Sequence, residues 1–191
     1  MATESVMLPL ESAAPPFTLR DVVTGQVYSL DSFTGKSALL VMFLCRHCPY
    51  VVHVQMKIAR IGQDYANTGL GLVGISSNDP AHYPEDAPER LKEMAQRLHF
   101  RFPFCFDDTQ EVAKAYKAAC TPDFYLFDSR QRLVYRGQLD GSRPGNNKPV
   151  TGLDLRAAID AVLAGKPVDS NQHPSIGCSI KWKPGNAPPY A

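Results

Sequence analysis

The chain has 191 residues, enough for one domain with a sizeable core, or one domain with extensions. A net charge of +1 with 20% charged and 44% hydrophobic residues is ordinary for a soluble globular protein and points to neither a nucleic-acid partner nor a membrane surface. Five scattered cysteines, an odd number, argue against a disulfide-stapled secreted scaffold and for a reducing, cytoplasmic setting with catalytic thiols. The opening residues carry Glu4 and Glu11 and lack the basic start and apolar stretch of a secretory leader, and no apolar run approaches membrane-spanning length.

Phe17-Thr18-Leu19 and Gln26 to Leu30 flank Thr24-Gly25 and read as a hairpin at the front of the domain. Leu39 to Leu44 is a continuous apolar run, as in a buried central strand. It leads into Cys45-Arg46-His47-Cys48. From Pro49 to Tyr65, Val51, Val54, Ile58, Ile61 and Tyr65 recur at threes and fours, predicting a helix with proline in its first turn. Leu70 to Ser76 is a second apolar strand, so strand, helix and strand imply a right-handed crossover and parallel pairing. A polar loop follows, in which Asp79, Glu85, Asp86 and Glu89 read as solvated acids. A helix over 88–98, a strand over 102–106 and a third helix over 109–119, capped by Asp107-Asp108-Thr109, come next. After Cys120-Thr121-Pro122, a strand at Phe124 to Phe127 and a return strand over 133–138 form a hairpin. The last helix spans 152–164, and a proline-rich tail contains Cys178 and the single tryptophan, Trp182.

The dithiol carries the chemistry. Two cysteines at this spacing can close into a disulfide, and a helix N-terminus favours thiolate, the species active in disulfide exchange. The N-terminal residue, Cys45, is expected to be the exposed nucleophile, with Cys48 one turn in to resolve the mixed disulfide. Arg46 and His47 are expected to tune both sulfurs, lowering a thiol pKa from about 8.5 towards 7 or below. The couple should then be more oxidising than thioredoxin's roughly −270 mV. An inert buried pair would lack the polar Arg46-His47 between its sulfurs. A metal site from Cys45, Cys48, His47 or His53 would need a second two-ligand knuckle, which the sequence lacks, so neither a metal nor another cofactor is expected. Cys105, among phenylalanines, reads as core packing, and Cys120 as a buried helix-end residue. His82, His99 and His173 read as surface residues.

Three residue groups together resemble the thioredoxin fold in its larger, peroxiredoxin-like form. They are Cys45-x-x-Cys48 at the strand-to-helix turn, Thr121-Pro122 where such proteins carry a cis-proline, and Ala14-Pro15-Pro16-Phe17-Thr18-Leu19, which resembles the start of the alkyl hydroperoxide reductase and thiol-specific antioxidant superfamily, the redoxins. Cys45 to Val51 and Ile176 to Lys183 are also similar to a bacterial subgroup of thioredoxin-like, peroxiredoxin-related proteins. The resemblance implies an α/β thioredoxin fold, a central mixed sheet flanked by helices, with an N-terminal hairpin and a C-terminal extension. It divides the chain into an extension over 1–14, a redoxin domain over 15–165 and a tail over 166–191 that packs on the domain.

The implied function is thiol–disulfide oxidoreductase. Its partners would be a disulfide-bearing protein and a thioredoxin- or glutathione-type reductant, and redoxins often form homodimers. A cis-proline at Pro122 would open the Thr121 backbone to strand-like docking of substrate beside Cys45. The main alternative is a thiol peroxidase acting on a peroxide substrate, in which Cys178 is a candidate third redox thiol resolving a sulfenic acid. There the chain departs from the peroxiredoxin pattern Pro-x-x-x-Thr/Ser-x-x-Cys, with Val41 in place of the proline and Cys45 in place of the hydroxyl residue. A further alternative is a redox-sensing binding module whose tail moves on oxidation.

Overall fold

The computed structural model describes residues 2–191. In chain order it has β1 (Ala2–Glu4), β2 (Thr18–Asp21), β3 (Val27–Ser29), β4 (Ala38–Phe43), α1 (Pro49–Asp64), β5 (Leu70–Ser76), α2 (Pro88–Arg97), β6 (Phe104–Phe106), α3 (Glu111–Ala115), β7 (Cys120–Thr121), β8 (Asp123–Asp128), β9 (Leu133–Gly137), α4 (Leu153–Leu163) and β10 (Ile176–Ser179). A seven-stranded sheet runs β3-β2-β6-β5-β4-β8-β9, and a three-stranded sheet runs β1-β10-β7. β4 pairs parallel with β5 and antiparallel with β8, so the main sheet is mixed, as expected of a thioredoxin fold.

The strand β4 is apolar throughout because both of its faces are covered. Leu40, Met42 and Leu44 face a layer holding Val51, Val54 and Ile58 of α1, Leu91 and Met94 of α2, and Leu155 and Ile159 of α4. Leu39, Val41 and Phe43 point the other way, towards Val112 and Ala113 of α3, with Tyr116, Tyr125 and Phe127. The period-2 alternation thus divides one strand between two cores. It also anchors the end of β4, and with it Cys45, from both sides.

Helices α1, α2 and α4 and the hairpin β2–β3 match the sequence patterns closely. The third helix does not. In place of 109–119 it spans five residues, bracketed by left-handed backbone at Gln110 (φ 65°) and Lys117 (φ 49°). Asp107 closes it from a distance, its carboxylate accepting the Ala113 N–H at 3.0 Å and the Ser77 hydroxyl at 2.9 Å. Cys120 therefore lies in strand β7, not at a helix end.

Both chain ends contribute strands that the pattern of apolar residues did not show. β1 pairs antiparallel with β10, and β10 with β7. The tail continues along the domain: Ile180 is buried, Trp182 packs beside it, and the Lys181 N–H donates to Asn78 Oδ1 at 2.8 Å. Among the described residues no helix is long and apolar enough to cross a membrane.

Candidate active site

The apolar strand β4 delivers Cys45, and Cys48 immediately precedes Pro49, the first residue of α1. Three segments close around the loop between them. The first is the turn ending in Asp86. This carboxylate is fully buried, and its Oδ1 accepts the backbone N–H groups of Arg46 at 2.7 Å and His47 at 3.3 Å. Its Oδ2 meets His47 Nδ1 at 2.5 Å and accepts from Asn78 Nδ2 at 2.7 Å. The four acids are therefore not one solvated group. Glu85 and Glu89 are exposed, whereas Asp79 and Asp86 are buried.

The second segment is β7 with the residue after it. The Thr121–Pro122 peptide bond is cis. Thr121 touches both sulfurs: its Oγ1 lies 3.1 Å from Cys45 Sγ, and its carbonyl accepts from the Cys48 thiol at 3.2 Å. The third segment is β10. Cys178 stands opposite Thr121 in the ladder and packs against the cluster that holds both sulfurs.

All five cysteines are free, and only Cys178 is not buried. Cys45 is 1% exposed and Cys48 0%, so the expectation that Arg46 and His47 keep the pair at the surface is overturned. The reason is that those side chains lean away to acids. The Arg46 guanidinium pairs with Glu85 and lies 3.7 Å from Glu93, and His47 is held by Asp86 and stacks on Tyr83 at 5.4 Å.

The ionisation order is also the reverse of the expected one. Burial pushes the Cys45 thiol well up, and the neighbouring Cys48 sulfur and the Asp86 charge add to the shift. Cys48 is drawn down to about 5, chiefly by the hydrogen bond from the Cys45 thiol. Burial opposes this, while the Cys178 thiol and the backbone N–H groups of Val51 and Cys178 assist. The contact to the Thr121 carbonyl belongs to the protonated Cys48 thiol and opposes ionisation. The converging donors outweigh it. Neither Arg46 nor His47 is among the leading causes of either shift. Burial and the Asp86 charge thus favour the protonated form of Cys45, and the donors converging on Cys48 favour its thiolate.

The remaining thiols differ. Cys178 is raised to about 11 by burial and by Cys48. Cys120 is raised by burial and by Asp123, and Cys105 is pushed up to about 12 by burial with Asp21 nearby. These shifts favour the thiol over the thiolate, and at Cys178 the Lys181 charge works against the shift. His53 is turned away, with its Nε2 2.7 Å from Ser142 Oγ. Donor atoms of Cys45, His47 and Asp86 lie within 4.8 Å of one another, a three-ligand set of the kind zinc takes. In the structure, however, His47 and Asp86 are spent on each other.

The docking expectation at Thr121 needs correction. Its backbone is not open, because β10 of the same chain occupies the ladder position beside it. Gly177 sits so close that a Cβ there would fall 1.9 Å from the Thr121 carbonyl oxygen. Sequence reasoning also missed Asp86 and Asn78. Their only local signal is a proline-bounded turn, Pro84 to Pro88, which says nothing of the loop they hold.

Comparison with known proteins agrees with the fold. The family model described as Redoxin matches residues 9–153. No curated protein matches the chain. Among solved structures, an uncharacterized conserved protein from Geobacillus kaustophilus is 55% identical, with a TM-score of 0.95 over 97% of this chain and 98% of that one. A hypothetical protein from Sinorhizobium meliloti 1021 is 49% identical, with a TM-score of 0.94 over 96% of this chain and 100% of that one. The thioredoxin domain of a thiol-disulfide oxidoreductase from Bacteroides vulgatus is 22% identical, with a TM-score of 0.58 over 71% of this chain and 90% of that one, a likeness of fold.

Proposed function

Since the chain belongs to the redoxin family, we propose that it is a thiol–disulfide oxidoreductase that cycles Cys45 and Cys48 between dithiol and disulfide. One observation carries this reading: the two sulfurs lie together at the start of α1, both held by Thr121, whose hydroxyl is 3.1 Å from Cys45 Sγ and whose carbonyl accepts from the Cys48 thiol at 3.2 Å, and the surroundings draw Cys48 down and raise Cys45. A thiolate beside a protonated partner is the resting state that exchange requires. Cys48 attacks a disulfide sulfur, expelling the other sulfur as a thiolate and leaving a mixed disulfide on Cys48. Cys45 gives up its proton and attacks Cys48 Sγ. The Cys45–Cys48 bond forms, and the second substrate sulfur leaves as a thiolate. A thioredoxin- or glutathione-type thiol restores the dithiol. Cys48 thus takes the attacking role that the sequence had suggested for Cys45.

The Thr121 hydroxyl and carbonyl, one on each sulfur, fix the pair without charge. The Asp86 contacts to the Arg46 and His47 backbone hold the loop between them.

A thiol peroxidase is the second reading, and the Thr121 hydroxyl favours it. It lies 3.1 Å from Cys45 Sγ and supplies in space a group that the peroxiredoxin pattern places in sequence. The experiment that separates the two mixes fully reduced protein with one equivalent of hydrogen peroxide or of oxidised glutathione. Thiol loss is followed by stopped flow, with Cys45→Ser and Cys48→Ser in parallel. Exchange is expected to proceed with glutathione and to form the Cys45–Cys48 disulfide, which Cys48→Ser cannot form, while peroxide reacts no faster than with a free thiol of similar pKa. Fast peroxide consumption abolished by one serine would replace this reading with a peroxidase.

A further inference from the structure

The dithiol reading leaves a steric difficulty, and the inference here rests on that reading and resolves it. With Cys45 1% and Cys48 0% exposed, neither sulfur lies at the surface, so a disulfide that Cys48 is to attack must first be brought to it. Cys178 is the one cysteine with solvent access. It is no loose tail residue. β10 pairs on both sides, with β1 and β7, and Cys178 is set opposite Thr121, which touches both buried sulfurs. The strand is held beyond it as well, by the Ile180 N–H to the Ala119 carbonyl at 3.0 Å and the Lys181 N–H to Asn78 at 2.8 Å. Gly177 permits the close approach of β10 to the Thr121 carbonyl, the same oxygen that accepts from the Cys48 thiol. Cys178 packs against the cluster that holds both sulfurs, and Cys48 meets the Thr121 carbonyl beside it.

We propose that Cys178 is the thiol through which the buried dithiol exchanges with a thiol- or disulfide-bearing partner, by way of a Cys48–Cys178 disulfide. In the reducing direction, Cys178 gives its proton to solvent and attacks a partner disulfide R–S–S–R′, forming Cys178–S–S–R and releasing R′S⁻. Cys48 thiolate attacks Cys178 Sγ, forming the Cys48–Cys178 bond and releasing RS⁻. Cys45, after losing its proton, attacks Cys48 Sγ. The Cys45–Cys48 bond forms, and Cys178 leaves as a thiolate that takes up a proton. Two electrons pass from the buried pair to the partner. Re-reduction runs the same bonds backwards. The partner's thiolate attacks Cys178 Sγ and expels Cys48, the better leaving group of the two because its thiolate is the more stable. Lys181, whose charge favours ionisation of Cys178, stands beside the entry point.

The test uses the full chain with oxidised and reduced glutathione as the probe. Cys45→Ser protein, oxidised with glutathione and mapped by peptide mass, is expected to contain a Cys48–Cys178 disulfide. Cys48→Ser protein is expected to carry its glutathione on Cys178. Cys178→Ser is expected to slow exchange at least tenfold, while retaining the Cys48 thiolate in ultraviolet absorbance, a readout that misfolding would abolish. Wild-type exchange rates in Cys178→Ser, or glutathione mapped to Cys45 or Cys48 in that variant at the wild-type rate, would overturn the relay and leave the dithiol reading standing. Failure of the wild-type chain to form a Cys45–Cys48 disulfide at any glutathione ratio would remove the dithiol reading, and the relay with it.

Discussion

The Asp86 carboxylate holds the Arg46 backbone N–H at 2.7 Å, although 40 residues separate the two in sequence. The same carboxylate takes donors from the His47 backbone and ring and from Asn78, in a fully buried position. Removing it leaves several buried donors unpaired in the loop that carries the dithiol. Asp86→Ala is therefore expected to lower stability by roughly 2–4 kcal/mol, read as a shift in the denaturant midpoint. Because the Asp86 charge helps to raise Cys45, Asp86→Asn should also bring the Cys45 thiol down, seen in the pH profile of its alkylation. An unchanged profile would mean that the charge does not reach the sulfur.

Cys48, drawn down to about 5, should be the thiolate at neutral pH. Its folded value lies below the unfolded value of about 8.5, so its stabilising contribution is full above the unfolded pKa and is lost as pH falls towards the folded one. Ultraviolet thiolate absorbance should titrate with a midpoint about 5 and vanish in Cys48→Ser. Since the Cys45 thiol is the first cause of the shift, Cys45→Ala should move that midpoint upward. A midpoint unmoved in Cys45→Ala would assign the shift to the backbone donors instead.

Asp123 shows the opposite behaviour. Complete burial raises its carboxyl to about 8, although the Tyr125 hydroxyl donates to it at 2.9 Å and the Phe124 N–H at 3.1 Å. With the folded value above the unfolded one of about 3.9, its contribution is present at low pH and is lost as pH rises through about 8. Asp123→Asn, which carries no charge to bury, should flatten the fall in melting temperature between about pH 4 and about pH 8. A slope equal to wild type would show that Asp123 is not the group titrating there.

Gly177→Ala tests the seat of the tail strand. The added Cβ would lie 1.9 Å from the Thr121 carbonyl oxygen and 2.6 Å from its carbon, so backbone must move. A cost of about 1–3 kcal/mol is expected for such overpacking. It should come with faster hydrogen exchange at Ile180, whose N–H bonds Ala119 at 3.0 Å in the same ladder. Unaltered exchange would mean that the tail tolerates displacement from β7.

Much of this molecule is legible in one dimension. The run Leu39 to Leu44 reads as a doubly covered strand because both of its faces are buried, and the threes and fours from Val51 to Tyr65 read as α1 because one face of that helix is. The dithiol's place at their junction follows from the same local patterns. The third helix was overextended because left-handed backbone at Gln110 and Lys117 is set by packing, not by a glycine that the eye would catch.

What the sequence by itself determined, then, is the order of the central strands and helices and the presence of two cysteines at the head of a helix. Those features depend on residues within a turn or two of one another. Only the tertiary structure decided which sulfur ionises, what the loop rests on and where the tail goes. Thr121 meets Cys45 across 76 residues, Asp86 meets His47 across 39, and Cys178 arrives on a strand whose partners lie in β1 and β7. Arg46 and His47 looked like the tuning groups because they are adjacent in sequence, yet their side chains are bound to acids. A thiol's pKa answers to the donors, charges and solvent around it in space, and here those come chiefly from distant parts of the chain.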